Sequence, residues 1–152
     1  MRHGVDFVLI GGLAGIAHGS AYNTDDLDVA YARDRDNLER LAAALKEAGA
    51  TLRGAPADLP FTPDAETLAR GLNFTFSTLH GSLDTLGEPA GAPSYDELRR
   101  ASSEETLSGV RVRIASIDHL IAMKEAAGRT KDKLLATELR VISDELRAPR
   151  GD

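Results

Sequence analysis

Two aspartates separated by a single residue are the clearest chemical feature of the sequence. Asp26 and Asp28 flank Leu27 at the start of an apolar stretch with the pattern of a strand. Because successive side chains of a strand alternate between its faces, we expect both carboxylates on one face and Leu27 pointing into the core. Carboxylate oxygens are the ligands that hard divalent cations prefer. The pair therefore predicts a site for Mg²⁺ or Mn²⁺.

A phosphoryl-transfer site with two cations also requires a third carboxylate, which should come from a neighbouring strand. Asp84, in the alternating segment 82–86, is the candidate for this position. In such a site Asp26 and Asp28 would hold the cation on a triphosphate. Asp84 would hold the second cation and help to deprotonate an attacking hydroxyl.

A pair of glycines lies upstream of the aspartates. Gly11 and Gly12 end the apolar run 5–10 and precede a short helical pattern. Without a Cβ, backbone amides at a helix N-terminus can approach phosphate groups, which the helix dipole attracts. Taken alone, the diglycine fits an ordinary turn and the two aspartates fit a solvated strand end. Their order and spacing together favour a nucleotide and metal site.

Hydrophobic periodicity and capping residues predict the elements that position these groups. Strands are expected at 5–10, 27–32, 73–77, 82–86, 106–107 and 110–114. Helices are expected at 13–18, 35–48, 64–70, from 94 onward, from a cap at Ser116 or Asp118 to 127, and at 131–146. Residues 53–71 are otherwise expected to be irregular. This order indicates one α+β (mixed α/β) domain over 1–152, with a core at about 4–115 and C-terminal helices at about 116–147.

Composition and charge exclude several classes of site. The chain has no cysteine, which excludes thiolate sites, and its four histidines lack zinc-binding spacing, which argues against a zinc site. The net charge is −6, with a net negative charge over 1–96 and a mildly basic segment at 97–151 that could face an anion or form an ordinary helical surface. No apolar stretch approaches the length of a membrane span, so we expect a cytoplasmic protein that does not enter the membrane.

Several segments carry a resemblance to a known family. Residues 10–14, 18–20 and 24–28 resemble the signature of the nucleotidyltransferase superfamily, which has the polymerase beta-like fold: a Gly-Gly or Gly-Ser pair and, after a spacer, Asp-hydrophobic-Asp. Within it, the chain is most similar to small bacterial relatives of the AbiEii-type nucleotidyltransferase toxins. Residues 116–124 and 127–132 resemble their C-terminal helix pair. Tyr22 stands where those relatives often carry Arg.

The resemblance implies roles for further residues. Lys124 would reach the triphosphate as a point charge, Arg129 could assist it, and Asp132 would orient Lys124 or complete the nucleotide pocket. The implied nucleotide-binding set also includes Gly11, Gly12, Ser20 and Thr24. His18 is expected to be a packed or capping residue, with a position near the phosphates as the alternative.

The resemblance also implies an activity. A nucleotidyltransferase of this kind moves a nucleoside monophosphate from an NTP to an acceptor hydroxyl on tRNA, a protein or a small molecule such as an aminoglycoside. The chain could then be the toxin of a toxin–antitoxin pair, with a cognate antitoxin as partner. The alternative is a nucleotide-binding or regulatory module with the same fold and weak or absent transfer activity.

Overall fold

The computed structural model describes residues 2–56, 58, 61–149 and 151, in which seven strands form one mixed sheet. The strands are β1 Phe7–Ile10, β2 Leu27–Tyr31, β3 Thr51–Leu52, β4 Asn73–Thr78, β5 Gly81–Leu86, β6 Ser103–Leu107 and β7 Val110–Ile114. The helices are α1 Gly11–Ala17, α2 Arg35–Glu47, α3 Ala65–Arg70, α4 Tyr95–Ala101, α5 Ile117–Ala127 and α6 Thr130–Arg147. The mixed α/β class expected from the sequence is confirmed.

The strand order is β3-β4-β5-β2-β1-β7-β6, so β2 lies between β1 and β5. β1 and β2 are antiparallel and pair Ile10 with Asp28. β2 and β5 are parallel and pair Asp28 with Asp84. The first residue of α1, Gly11, follows Ile10 directly. The ladder therefore places the glycine and both aspartates around the same end of β2.

Two apolar clusters hold the helices on this sheet. The first joins β1 and β7 to α1, α4, α5 and α6 through buried residues that include Val8, Ile10, Ala14, Leu98, Ile114, Leu120, Leu135 and Leu139. The second joins Tyr31 of β2 and Phe76 of β4 to α2 and α3. The stripe of α2 expected from helical spacing, Leu38, Leu41 and Leu45, is buried in this second cluster.

Side-chain caps fix where the helices begin. The N-cap side chains Asp34, Ser94 and Ser116 accept hydrogen bonds from backbone N–H groups at the start of α2, α4 and α5. Ser116, rather than Asp118, is therefore the cap of α5. Gly128 ends α5 in the left-handed region with φ of 72°. This tight link between α5 and α6 brings the end of one helix close to the first turn of the next.

Two sequence expectations need correction. Residues 51–52 form the short strand β3, paired with β4, although no strand was expected next to the irregular segment. Leu27 is 38% exposed instead of lying in the core. It opens β2, whose side chains become buried only from Val29 onward. None of the helices in the described ranges has the length and apolar character needed to cross a membrane.

Candidate active site

Asp28 and Asp84 form the centre of the site as a cross-strand pair. They are direct register partners on the parallel strands β2 and β5, and the negative charge of Asp84 contributes to raising the pKa of Asp28. Gly11 packs against this pair, with a φ of +71°. A Cβ on Gly11 would lie 2.1 Å from Oδ2 of Asp28. The position therefore requires glycine for two reasons, its backbone conformation and the space that the carboxylate occupies.

The carboxylate of Asp28 is poorly compensated. Burial, followed by the negative charges of Asp84 and Asp26, raises the pKa of Asp28 to about 6, although the positive charge of Lys124 opposes this shift. Asp28 therefore lacks a full counter-charge, which a bound cation would supply.

Asp26 and Thr24 lie on the approach to this pair. Asp26 immediately precedes β2 and is exposed, and its backbone N–H donates a hydrogen bond of 3.2 Å to Oγ1 of Thr24. Thr24 in turn packs against Gly12, where an added Cβ would lie 2.8 Å from Cγ2 of the threonine. Both glycines of the pair are therefore covered by side chains of the segment that carries the aspartates.

A second charged group, the ion cluster, consists of Lys124, Arg129 and Asp132. Nε of Arg129 donates to Oδ2 of Asp132 at 2.6 Å, and Nζ of Lys124 lies 3.5 Å from Oδ1. Asp132 is only 1% exposed. Burial raises the pKa of Asp132, but the hydrogen bond from Arg129 and the charge of Lys124 outweigh burial and hold this pKa below its ordinary value. The cluster carries a net charge of +1. It lies next to Asp28 and Asp84, which together are called the aspartate pair.

Two clefts meet at these groups. The polar cleft has a volume of 250 Å³ and is lined by Gly12, Tyr22, Asn23, Thr24, Asp26, Asp28, Arg53, Asp84, Lys124, Arg129, Lys131, Asp132 and Leu135. The apolar cleft has a volume of 280 Å³ and is lined by Ile10, Gly11, Asp28, Asn73, Asp84, Leu86, Pro89, Ala90, Leu120, Met123, Lys124, Ala127 and Arg129. Four residues line both: Asp28, Asp84, Lys124 and Arg129. The site thus has a charged centre with one hydrophilic and one hydrophobic side.

Arg53 is a member of the site that the sequence does not reveal. It follows β3, and its Nη2 lies 2.6 Å from Oδ1 of Asp84. Nη1 also lies 3.4 Å from the carbonyl oxygen of Phe76. No sequence signal points to Arg53, because a strand of two residues has no periodicity and the neighbouring residues suggest only a turn.

The sequence matches no family model and no curated protein at a significant level, but the structure matches solved structures. The lincomycin-bound lincosamide antibiotic adenylyltransferase LnuA shares 13% identity at a TM-score of 0.61, over 93% of this chain and 89% of LnuA. The chain has the nucleotidyltransferase fold. An antigenic nucleotidyltransferase-like protein from Paracoccidioides brasiliensis matches at a TM-score of 0.55 and 15% identity, over 96% of this chain and 70% of that protein. The antibiotic-resistance factor ANT(2'')-Ia matches at a TM-score of 0.52 and 18% identity, over 96% of this chain and 84% of that protein.

Within this nucleotidyltransferase fold, all but one of the expected site residues line at least one cleft. The exception is Ser20, which is 8% exposed and whose Oγ accepts a hydrogen bond of 3.0 Å from the N–H of Tyr22. It lines neither cleft. His18 closes α1, and its Nε2 lies 2.8 Å from the carbonyl oxygen of Ala115. This contact agrees with the packed histidine expected from the sequence.

The donor chemistry of the centre suits a hard cation. Asp28 and Asp84 present only carboxylate oxygens, and the charges of Asp84 and Asp26 raise the pKa of Asp28. Among the residues that the structure describes, no group of three or more His, Cys, Asp and Glu side chains is arranged to hold a metal ion. Asp84 is instead bonded to Arg53. The aspartate pair fits a cation, and the third ligand would have to come from Asp26 or from a substrate.

Proposed function

We propose that the chain is a Mg²⁺- or Mn²⁺-dependent nucleotidyltransferase that moves a nucleoside monophosphate from an NTP to an acceptor hydroxyl and releases pyrophosphate. The observation that carries the proposal is the register pairing of Asp28 with Asp84 beside Gly11, with Lys124 and Arg129 lining the same clefts. Two opposed carboxylates next to two cations form a suitable environment for a polyphosphate and a hard cation. The nucleotidyltransferase fold supports the same reaction class.

The polar cleft is the proposed site of the phosphates. Lys124, Arg129 and Lys131 line it and would bind phosphate oxygens, the lysines as point charges and the arginine through its planar group. The hydroxyl of Thr24 and the backbone beside Gly12 and Gly11 provide further polar contacts without a Cβ in the way. Asp132 would hold Lys124 and Arg129 in place rather than touch the nucleotide.

In the proposed reaction the acceptor oxygen forms a bond to the α-phosphorus while the bond between the α-phosphorus and the bridging oxygen to the β-phosphate breaks. Pyrophosphate leaves with that bridging oxygen and its electron pair. The proton of the acceptor hydroxyl passes to the carboxylate of Asp84, which faces both clefts. A cation bound at Asp26, Asp28 and Asp84 would supply charge neutralisation of the phosphates and a lower pKa of the hydroxyl.

The apolar cleft favours a small organic acceptor. Its wall of Leu86, Pro89, Leu120 and Met123 offers hydrophobic surface next to the centre. The known structures with this fold include an adenylyltransferase bound to the antibiotic lincomycin, so a hydroxylated antibiotic or a similar small molecule is the first acceptor to test. The net charge of −6 argues against a large RNA surface.

tRNA and protein hydroxyls stay as alternative acceptors within the same proposal. The proposal also includes a relation to AbiEii-like toxins and a cognate antitoxin as partner. It further includes a cytoplasmic location, where NTPs are available. An antitoxin would be expected to bind over the clefts and block NTP entry. Growth inhibition on expression, relieved by a neighbouring reading frame, would support the toxin role.

Transfer can be measured with α-³²P-labelled NTPs, Mg²⁺ or Mn²⁺, and three separate acceptor pools: lincosamides and aminoglycosides, total tRNA, and lysate protein. We expect label on a small-molecule acceptor, lost in Asp28→Ala and kept in Asp36→Ala, because Asp36 is an exposed residue of α2. Label on tRNA or protein would keep the reaction and change the acceptor. No transfer to any pool with either cation would contradict the proposed enzyme.

A second candidate function is a nucleotide-binding module without transfer activity. The observation that favours it is the bond of Arg53 to Asp84, which leaves this carboxylate neutralised in the structure. Saturable NTP binding in a filter or calorimetric assay, without label transfer to any acceptor pool, would support the module. Transfer that depends on Asp84 would exclude it.

A further inference from the structure

We propose that Arg53 is a stand-in for a cation: its guanidinium neutralises Asp84 until a divalent cation displaces it. This inference rests on the cation site of the proposed function and adds a positioning role for a residue outside the motifs. Arg53 lies outside the aspartate motif, the diglycine and the C-terminal helix pair, on the far side of Asp84 from them along the sheet, next to β3 and β4.

Arg53 places a cationic side chain in direct contact with Asp84. Nη2 of Arg53 and Oδ1 of Asp84 are 2.6 Å apart, a charge-assisted hydrogen bond at short range. Arg53 lines the polar cleft together with Asp26, Asp28 and Asp84. Asp28 and Asp84 are direct partners in the ladder, and two carboxylates in this position repel each other. The arginine supplies one positive charge where a divalent cation would supply two.

The guanidinium of Arg53 is held loosely enough to leave Asp84. Its side chain is 34% exposed, and that of Asp84 is 22% exposed, so both groups can exchange this bond for water or for a ligand. Within the part of the chain that the structure describes, its guanidinium makes one other hydrogen bond, a long one of 3.4 Å to the carbonyl oxygen of Phe76. By contrast, the backbone N–H of Arg53 is held at 2.9 Å by the carbonyl oxygen of Thr75. The backbone is fixed while the charged end is lightly held.

Displacement would give Arg53 a second partner. A guanidinium released from Asp84 stays in the polar cleft, where the proposed phosphates lie beside Lys124 and Arg129. Arginine binds phosphate oxygens through two parallel N–H groups. Cation entry and phosphate binding would therefore favour each other, since each removes the guanidinium from Asp84 or gives it a new partner.

The test measures cation binding directly, without turnover. Free Mn²⁺ is titrated by electron paramagnetic resonance against nucleotide-free wild type, Arg53→Gln, Arg53→Lys and the control Arg70→Gln, which removes an exposed arginine bridged to Glu66 on α3. We expect Arg53→Gln to bind Mn²⁺ about tenfold more tightly, since a repelling charge near the site is lost. Arg53→Lys, which keeps the charge, and Arg70→Gln should stay close to wild type. Circular dichroism melting checks that each variant is folded.

Unchanged or weaker Mn²⁺ binding in folded Arg53→Gln would overturn the inference. Arg53 would then only stabilise the packing of β3 and β4. Undetectable Mn²⁺ binding in wild type and all variants would overturn both the inference and the cation site of the proposed function. Tighter binding in Arg53→Gln without nucleotidyl transfer by the wild type would support Arg53 as the stand-in and contradict the enzyme alone. If Arg53→Gln does not fold, Arg53→Met serves as the second charge-free variant, which keeps much of the aliphatic stem.

Discussion

The pKa of an aspartate is shifted in opposite directions in the aspartate pair and in the ion cluster. Asp28 lies beside other carboxylates, and burial with their charges raises its pKa to about 6. Asp132 is more deeply buried, yet Arg129 and Lys124 hold its pKa below the ordinary value in spite of burial. Burial alone therefore does not determine the state of a carboxylate here. The neighbouring charges decide it.

The difference suggests distinct purposes for the two regions. The ion cluster is complete as it stands, because each oxygen of Asp132 has a cationic partner from the same helix pair. In the aspartate pair, Asp84 has Arg53 as its cationic partner, whereas Asp28 is not paired in this way within the described ranges. In the ion cluster the charges offset one another, whereas in the aspartate pair neighbouring negative charges act on Asp28.

The largest expected effect concerns Asp28. Asp28→Asn should reduce nucleotidyl transfer by a factor on the order of 10³, because the charge that holds the cation and the phosphates is lost. The same variant should be at least as stable as wild type in urea unfolding at pH 7, since it removes repulsion with Asp84. Asp36→Asn is the exposed control and should change neither quantity. A clear loss of stability in Asp28→Asn would mean that the aspartate pair is a structural feature.

Gly11 tests whether backbone space positions the aspartate pair. Gly11→Ala should lower the free energy of unfolding by about 3 kcal/mol, combining left-handed strain with a clash against Asp28. Gly54→Ala is a matched control, since Gly54 has a φ of +79° but nothing within 4 Å of an added Cβ. It should lose about 1 kcal/mol from backbone strain alone. Equal losses in the two variants would show that Asp28 moves aside freely.

Asp132 tests the opposite side of the comparison. Asp132→Asn should lower the free energy of unfolding by about 2–3 kcal/mol, because it leaves the largely buried Lys124 without its counter-charge. The exposed pair of Asp118 and Arg147, 2.7 Å apart, provides the control, and Asp118→Asn should cost less than about 1 kcal/mol. Comparable unfolding midpoints for the two variants would show that the ion cluster contributes no more than a surface pair.

The smallest effect is a pH dependence of stability. The lowered pKa of Asp132 means that the folded state holds its charge to lower pH than the unfolded chain does. The resulting stabilisation is fully present above about pH 4, the ordinary aspartate range, and is lost as pH falls through the lower folded value. Unfolding free energies of wild type and Asp132→Asn should therefore converge in acid. A constant difference down to pH 2 would contradict the assigned direction.

The sequence was sufficient for the local features of the fold. Asp34 and Ser94 cap helices that the sequence predicts, and Ser116 is one of the two caps that it allows for α5, because a cap depends only on residues within one turn. The alternating pattern around Asp84 likewise predicts β5. The two-residue strand β3 has no period to detect, and the exposure of Leu27 depends on what other segments cover it.

The candidate site was predictable where its residues belong to motifs or to a regular strand pattern. The motifs predict Asp26, Asp28, Lys124 and Arg129, strand alternation predicts Asp84, and all five line the polar cleft. The pairing of Asp28 with Asp84 follows from the strand order, which no local pattern encodes. The strand order also brings Arg53 to Asp84. The apolar wall likewise depends on tertiary structure, because separate loops and helices form it. These features arise only when distant segments meet.

The shared register of β2 and β5 has a practical consequence for changing what the protein accepts. The backbone ladder sets the separation of Asp28 and Asp84 at the inter-strand distance of about 4.8 Å, which side-chain replacements elsewhere will not alter. Pro89 and Ala90, by contrast, belong to a loop on the rim of the apolar cleft. Substitutions confined to that loop would therefore reshape the apolar cleft while the spacing of Asp28 and Asp84 stays constant.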